Sequence, residues 1–268
     1  MTTRTDRPST PPRTPRPARR RGVRPLVTVA VLALLTLWLV VRFGPTSSEQ
    51  HSFSMGPGTT RLTVEVGTGS VRLTPTDGAE IQVQRTVRSG WRDPRIEERT
   101  DGSHAVVEAS CPGFLGGGCE IRYDIAVPAG LDVELAASTG DLDVRGIEAR
   151  SLRTTVSTGR TTLVDVDAPL EIRASTGHVS ASGLRSDRVT ADVSTGSVEL
   201  DFATAPTDVT VSASSGDVTL QLPRAGDPYD VQVGTSSGGE RVDVPTDPGS
   251  PRAVAVTVSS GDVVVRPR

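Results

Sequence analysis

Lysine is absent from this sequence. All 29 basic residues are arginine, which a GC-rich coding origin accounts for without any functional reading. Aromatic residues are scarce, at 3%, so a core must be thin and built from small aliphatic side chains. There are two cysteines and three histidines, and His51, His104 and His178 have no metal-binding or catalytic motif around them. Serine is abundant, but with no helix expected beyond residue 50 none can sit on a strand-to-helix nucleophile elbow. Beyond residue 50 no segment keeps a 3.6-residue period long enough for a helix. A calcium-binding parallel roll needs Gly-Gly-x-Gly-x-Asp every nine residues, and a leucine-rich repeat needs Leu-x-x-Leu-x-Leu with asparagine; both patterns are missing. No cofactor, metal or ready-made catalytic centre is therefore expected.

What the sequence does have is repetition. Ala137-Ser138-Thr139-Gly140-Asp141 returns as Val156-Ser157-Thr158-Gly159-Arg160 and Ala174-Ser175-Thr176-Gly177-His178. It returns again as Val193-Ser194-Thr195-Gly196-Ser197 and Ala213-Ser214-Ser215-Gly216-Asp217. The glycines step by 19, 18, 19 and 20 residues from 140 through 159, 177 and 196 to 216. Fainter copies stand at Ser237-Gly238 and Ser260-Gly261-Asp262, and an early one at Thr68-Gly69-Ser70. A period near 20 residues marks stacked repeats.

Aligned on the glycine, apolar residues fall three, five and seven positions before it and two and four after. In one repeat these are Val189, Ala191, Val193, Val198 and Leu200 around Gly196. The positions between are polar, such as Thr190, Asp192 and Glu199. That period of two is a half-buried strand on each side of a turn. The turn glycines Gly69, Gly140, Gly159, Gly177, Gly196, Gly216, Gly238 and Gly261 are expected to supply backbone angles that other residues resist. One such coil cannot bury its apolar face alone, and stacking gives parallel ladders about 4.8 Å apart around a shared core. The reading is all-β: a β-solenoid of roughly 20-residue coils over 131–268. An antiparallel sandwich of short strands stays open as the alternative.

Charge is split along the chain. Residues 1–24 carry eight arginines against Asp6, and the part from residue 43 on carries −11, a body that nucleic acid would repel. The basic, proline-rich segment 1–24 cannot offset its ordering entropy and reads as a disordered cytoplasmic tail. Leu26 to Val41 is apolar apart from Thr28 and Thr36, and lies between Arg24 and Arg42. Segment 25–43 is thus expected as one transmembrane helix, short but workable with snorkelling arginines. The positive-inside bias puts the N-terminus in the cytoplasm and the rest outside a cell membrane. A cleaved signal peptide is the rival, although no Ala-x-Ala site or lipobox cysteine follows. Residues 44–59 read as a polar linker.

Residues 60–130 look β-rich but irregular, the natural cap for a first coil. Trp91 is expected to pack in that cap. Cys111 and Cys119 enclose a glycine-rich loop and, outside the membrane, should be oxidised. Closing that loop is worth about 2.5 kcal/mol on the chain-entropy model. At the other end, Arg266-Pro267-Arg268 would blunt an open sheet edge.

A basic tail, one apolar span, a strand running into Val127-Pro128-Ala129-Gly130-Leu131-Asp132-Val133 and repeated Ser-Thr-Gly-Asp turns resemble the bacterial "putative adhesin" family. The resemblance covers about 60–268 and implies a membrane-tethered β-solenoid of unknown molecular function, with no catalytic residues. Asp141, Asp217 and Asp262 are the carboxylates a hydrolase would need, but the same slot holds Arg160, His178 and Ser197 in other coils, which favours solvated turn positions. The expectation is a non-enzymatic module that binds an envelope protein or polymer. A sensory accessory of an envelope-stress system is the alternative, and a carbohydrate-active enzyme on a solenoid the third. Oligomeric state is left open.

Overall fold

The computed structural model describes residues 32–33, 47–56, 58–89, 93–111, 119–224, 226 and 228–268. The tail 1–24, Trp91, the loop 112–118 and all of segment 25–43 except Leu32 and Ala33 lie outside the described residues; those two are helical. Among the described residues no helix is long and apolar enough to cross a membrane. The chain divides into units 1–44 and 45–268, and every strand belongs to the second.

Six strands come first: β1 (Ser47–Met55), β2 (Arg61–Pro75), β3 (Ile81–Ser89), β4 (Arg95–Asp101), β5 (His104–Ser110) and β6 (Glu120–Val127). Three long ones follow, β7 (Leu131–Arg145), β8 (Ala149–Val164) and β9 (Leu170–Leu184), each a whole coil carrying its glycine within it. The rest are split at the turn into pairs: β10 (Arg188–Thr195) with β11 (Val198–Phe202), and β12 (Asp208–Ser215) with β13 (Val218–Leu222). After them come β14 (Asp230–Ser237) with β15 (Glu240–Val242), and β16 (Ala253–Ser260) with β17 (Val263–Pro267).

The coils stack in parallel with the glycines in register, Gly159 on Gly177 for example, so the fold is the solenoid and not the antiparallel sandwich. The alternating positions point inward as the sequence pattern requires: Val189, Ala191, Val193, Val198 and Leu200 are all buried. Thr154 and Thr161 occupy core slots of the β8 coil and are buried too.

The stack does not follow chain order at its ends. From one end to the other it runs β5–β6, β2, β7, β8, β9, β10–β11, β12–β13, β16–β17, β14–β15, nine coils among the described residues. The first and last coils in sequence, β2 and β16–β17, are therefore both sandwiched inside the stack. Two expectations change. β2 lies within the supposed cap region 60–130, yet it is a full coil that seats Gly69 against Gly140 of β7. The Arg266-Pro267-Arg268 segment does not end the outermost coil: β17 pairs with β13 on one side and, through Val263–Val265, with β15 on the other, so the outer edge of the stack belongs to β14–β15.

The cap is built around the β5–β6 coil. β4 adds antiparallel to β5, β3 adds antiparallel to β6, and β1 adds to β3. Residues 44–59 are thus not all linker: Ser47–Met55 is a strand, because β3 offers an open edge and Met55 finds a buried slot. Cys111 and Cys119, bonded as expected, join the two limbs of the β5–β6 coil at the place of the turn. No glycine is needed there, and Ile121 stands opposite Gly69. Between β3, β4 and β6 the core ends in polar groups. Glu98 Oε1 accepts from Arg85 Nη1 (2.6 Å) and from the hydroxyl of buried Tyr123 (2.9 Å).

Candidate binding face

Each coil has a limb before the glycine and a limb after it, and stacking turns the outward positions of each limb into straight columns. On the first limb, six positions before the glycine, the column reads Thr63, Glu134, Arg153, Glu171 and Thr190. Eight before, it includes Arg61, Asp132, Ser151 and Arg188. These columns floor an open groove of about 740 Å³ that spans six coils, from His104 on β5 to Arg188 and Thr190 on β10. Its ends are basic and its middle is acidic with arginine between.

The groups in the groove hold one another. Arg153 Nη2 lies 2.7 Å from Glu171 and Arg173 Nη2 lies 2.6 Å from the same carboxylate. Asp132 takes Arg150 Nη1 at 3.2 Å and the Ser151 hydroxyl at 3.0 Å. Thr63 Oγ1 and His104 Nε2 are 2.9 Å apart. The arginines are about half exposed, so each pair contributes little to stability, on the order of 0–1 kcal/mol, and can exchange partners with a ligand at small cost. The second limb has a smaller open groove of about 490 Å³ with the same character: Asp143 is shared by Arg145 (2.7 Å) and Arg72 (3.3 Å).

The carboxylates just after the glycines turn out to be more than solvated turn residues. Asp141 Oδ1 accepts the backbone N–H of Arg160 in the next coil at 3.0 Å. Asp217 does the same for Asp262 (3.0 Å), and Asp262 for Gly239 (2.7 Å). In the slot where the pattern has no aspartate, His178 Nδ1 and Ser197 Oγ hydrogen-bond to each other across the same junction. These side chains staple coil to coil, always toward the β14–β15 end, and an acid–base pair for hydrolysis is not what they form. Among the described residues no cluster of three or more His, Cys, Asp or Glu could hold a metal ion.

The model of the Toastrack DUF4097 family matches residues 124–266, just over half of the chain. The chain belongs to that family. The Toastrack match begins in β6 and ends in β17, so it takes in all the coils after β2. Comparison with curated proteins finds no match. Two solved structures illustrate what the chain is similar to in fold. One is a "putative adhesin" from Bacteroides fragilis, 10% identical, covering 82% of this chain and 97% of its own, with a TM-score of 0.46. The other is a "putative cell adhesion protein" from Clostridium sporogenes, 12% identical, covering 83% of this chain and 100% of its own, with a TM-score of 0.39.

The register of the outward columns was readable from the repeat; the groove was not. It depends on β2 lying directly against β7, with β5 beyond it, and that neighbourhood skips over the residues between them in sequence. The eight turn glycines have φ between 129° and 155°. The cross-coil role of the aspartates had a visible signal, their recurrence one residue after glycine, but a partner one coil away leaves no local trace.

Proposed function

We propose that this chain is a non-enzymatic, extracytoplasmic binding module, held at the cell membrane by segment 25–43, that recognises a charged protein or polymer of the cell envelope. The observation that carries the reading is the six-coil groove from His104 to Thr190, open, shallow and lined by interleaved arginine and carboxylate. A long polar surface on a stack of repeats suits recognition by many weak contacts. Chemistry calls for an enclosed pocket with a few converging groups, which an open groove of self-paired surface charges does not supply.

The binding test uses isolated envelope fractions and the unit 45–268 as bait. Reversing Arg61, Arg153 and Arg188 together should weaken retention at least tenfold, with wild-type binding falling as salt rises. Glu199→Gln, on the other limb, should change it little. A single substitution that abolished activity and left the fold intact would replace this reading with a catalytic one. The membrane part is tested separately. Protease added to intact spheroplasts should remove everything after about residue 44 and spare the tail, and protection of the body would sink the assignment.

A further inference from the structure

The outermost coil, β14–β15, departs from the rule that the core slots follow. Three positions before its glycine stands Thr235, where the adjacent coil has Val258; two positions after stands Glu240, where the adjacent coil has Val263. Glu240 is exposed, and its Oε1 accepts the backbone N–H of Thr235 at 2.7 Å. The Thr235 hydroxyl donates to the Gly261 carbonyl at 3.3 Å. The remaining slots are ordinary. Val231 and Val233 pack against the core while partly open, and Val242 is 38% exposed. Among the described residues β14 pairs only with β16 and β15 only with β17, so the far edge of both strands is unpaired.

An unpaired strand edge is a template for another strand, and an inward-pointing charge is one way of blunting it. We infer that the β14–β15 end is a self-association surface for a second copy of this chain, held shut by the Glu240 carboxylate. A second copy fits because it offers the same two open strand edges across the same thin core, one to meet β14 and one to meet β15. A two-fold axis normal to the two sheets would set β14 antiparallel to its copy and β15 antiparallel to its copy, an isologous contact that closes on itself. That contact would place each Glu240 over a joined apolar core with only the Thr235 amide to satisfy it. Burying an unpaired carboxylate is costly enough to prevent the contact. Valine in the same slot, as in the adjacent coil, removes the obstacle.

The test is sedimentation velocity on the full chain in detergent at matched concentration. Wild type should sediment as a monomer, and Glu240→Val should dimerise at least about a hundredfold more tightly. If Glu240→Val does not fold, Glu240→Ala carries the same comparison. In parallel, amide exchange at Thr235 should accelerate in Glu240→Ala and stay slow in Glu240→Gln, which keeps an acceptor. A folded valine or alanine variant that remains monomeric overturns the inference, as does a wild type already paired through this end, or a Thr235 amide indifferent to Glu240→Ala.

Discussion

At Gly177 an added Cβ would lie 1.8 Å from the carbonyl oxygen of Gly159 in the coil beneath, with φ at 155°. The same collision recurs at all eight turn glycines, at 1.5–2.1 Å. Ile121, in the first coil of the stack, escapes because no turn lies beneath it. Backbone angle is thus the lesser constraint and coil contact the greater. Gly177→Ala should be nearly as damaging as Gly177→Val, at roughly 3 kcal/mol or more, whereas Thr190→Val on the outer face should be close to neutral. Denaturant melts of the three variants check this, and a tolerated alanine would count against the contact. Tyr123 gives a second residue-scale expectation. Burial first, then the Glu98 carboxylate, push its hydroxyl well above the ordinary tyrosine value, and Tyr229 is shifted the same way by burial. With folded values raised, stability is full below about pH 10 and is lost as pH rises from there, by up to about 1.4 kcal/mol per unit for Tyr123. Tyr123→Phe should flatten that alkaline loss in urea melts at pH 8 to 11.

Among the coils of the described residues, β5–β6 is the one with no glycine in the turn column, where Ile121 stands, and the Cys111–Cys119 bond does the turn's work by keeping its two limbs together. Thiol labelling of the native protein should find no free cysteine until it is reduced. Replacing both cysteines with serine should cost about 2–3 kcal/mol on the loop-closure model. The loss should be local: β4, β5 and β6 should exchange their amides faster while β9 through β13, several coils away, stay protected. Uniform loosening of the whole stack would mean that the cap and the coils melt as one unit.

For unit 45–268 taken whole, stability should follow stack order and not chain order. β16–β17 is held on both sides, by β12–β13 and by β14–β15, whereas β14–β15 is held on one. Native-state hydrogen exchange should therefore find residues 253–267 more protected than 230–242, although they lie later in the sequence. The reverse order would contradict the stacking. Both ends of the stack carry polar groups, Arg85, Glu98 and Tyr123 at one and Thr235 with Glu240 at the other.

The repeat by itself determined the coil. Glycine spacing set its length, and the period of two assigned Val189, Ala191, Val193, Val198 and Leu200 to the interior, because alternation and turn chemistry are local properties that neighbouring residues encode. The cysteine pair was legible for the same reason. The order of the coils was decided only by the tertiary structure. A stack of nearly identical coils offers nearly equal pairings for β14–β15 and β16–β17. What separates them is which coil can stand at the end, and that rests on Thr235 and Glu240 in two core slots. The groove was likewise invisible along the chain, since it joins β5, β2 and β7, which become neighbours only when the coil of β2 is enclosed between them.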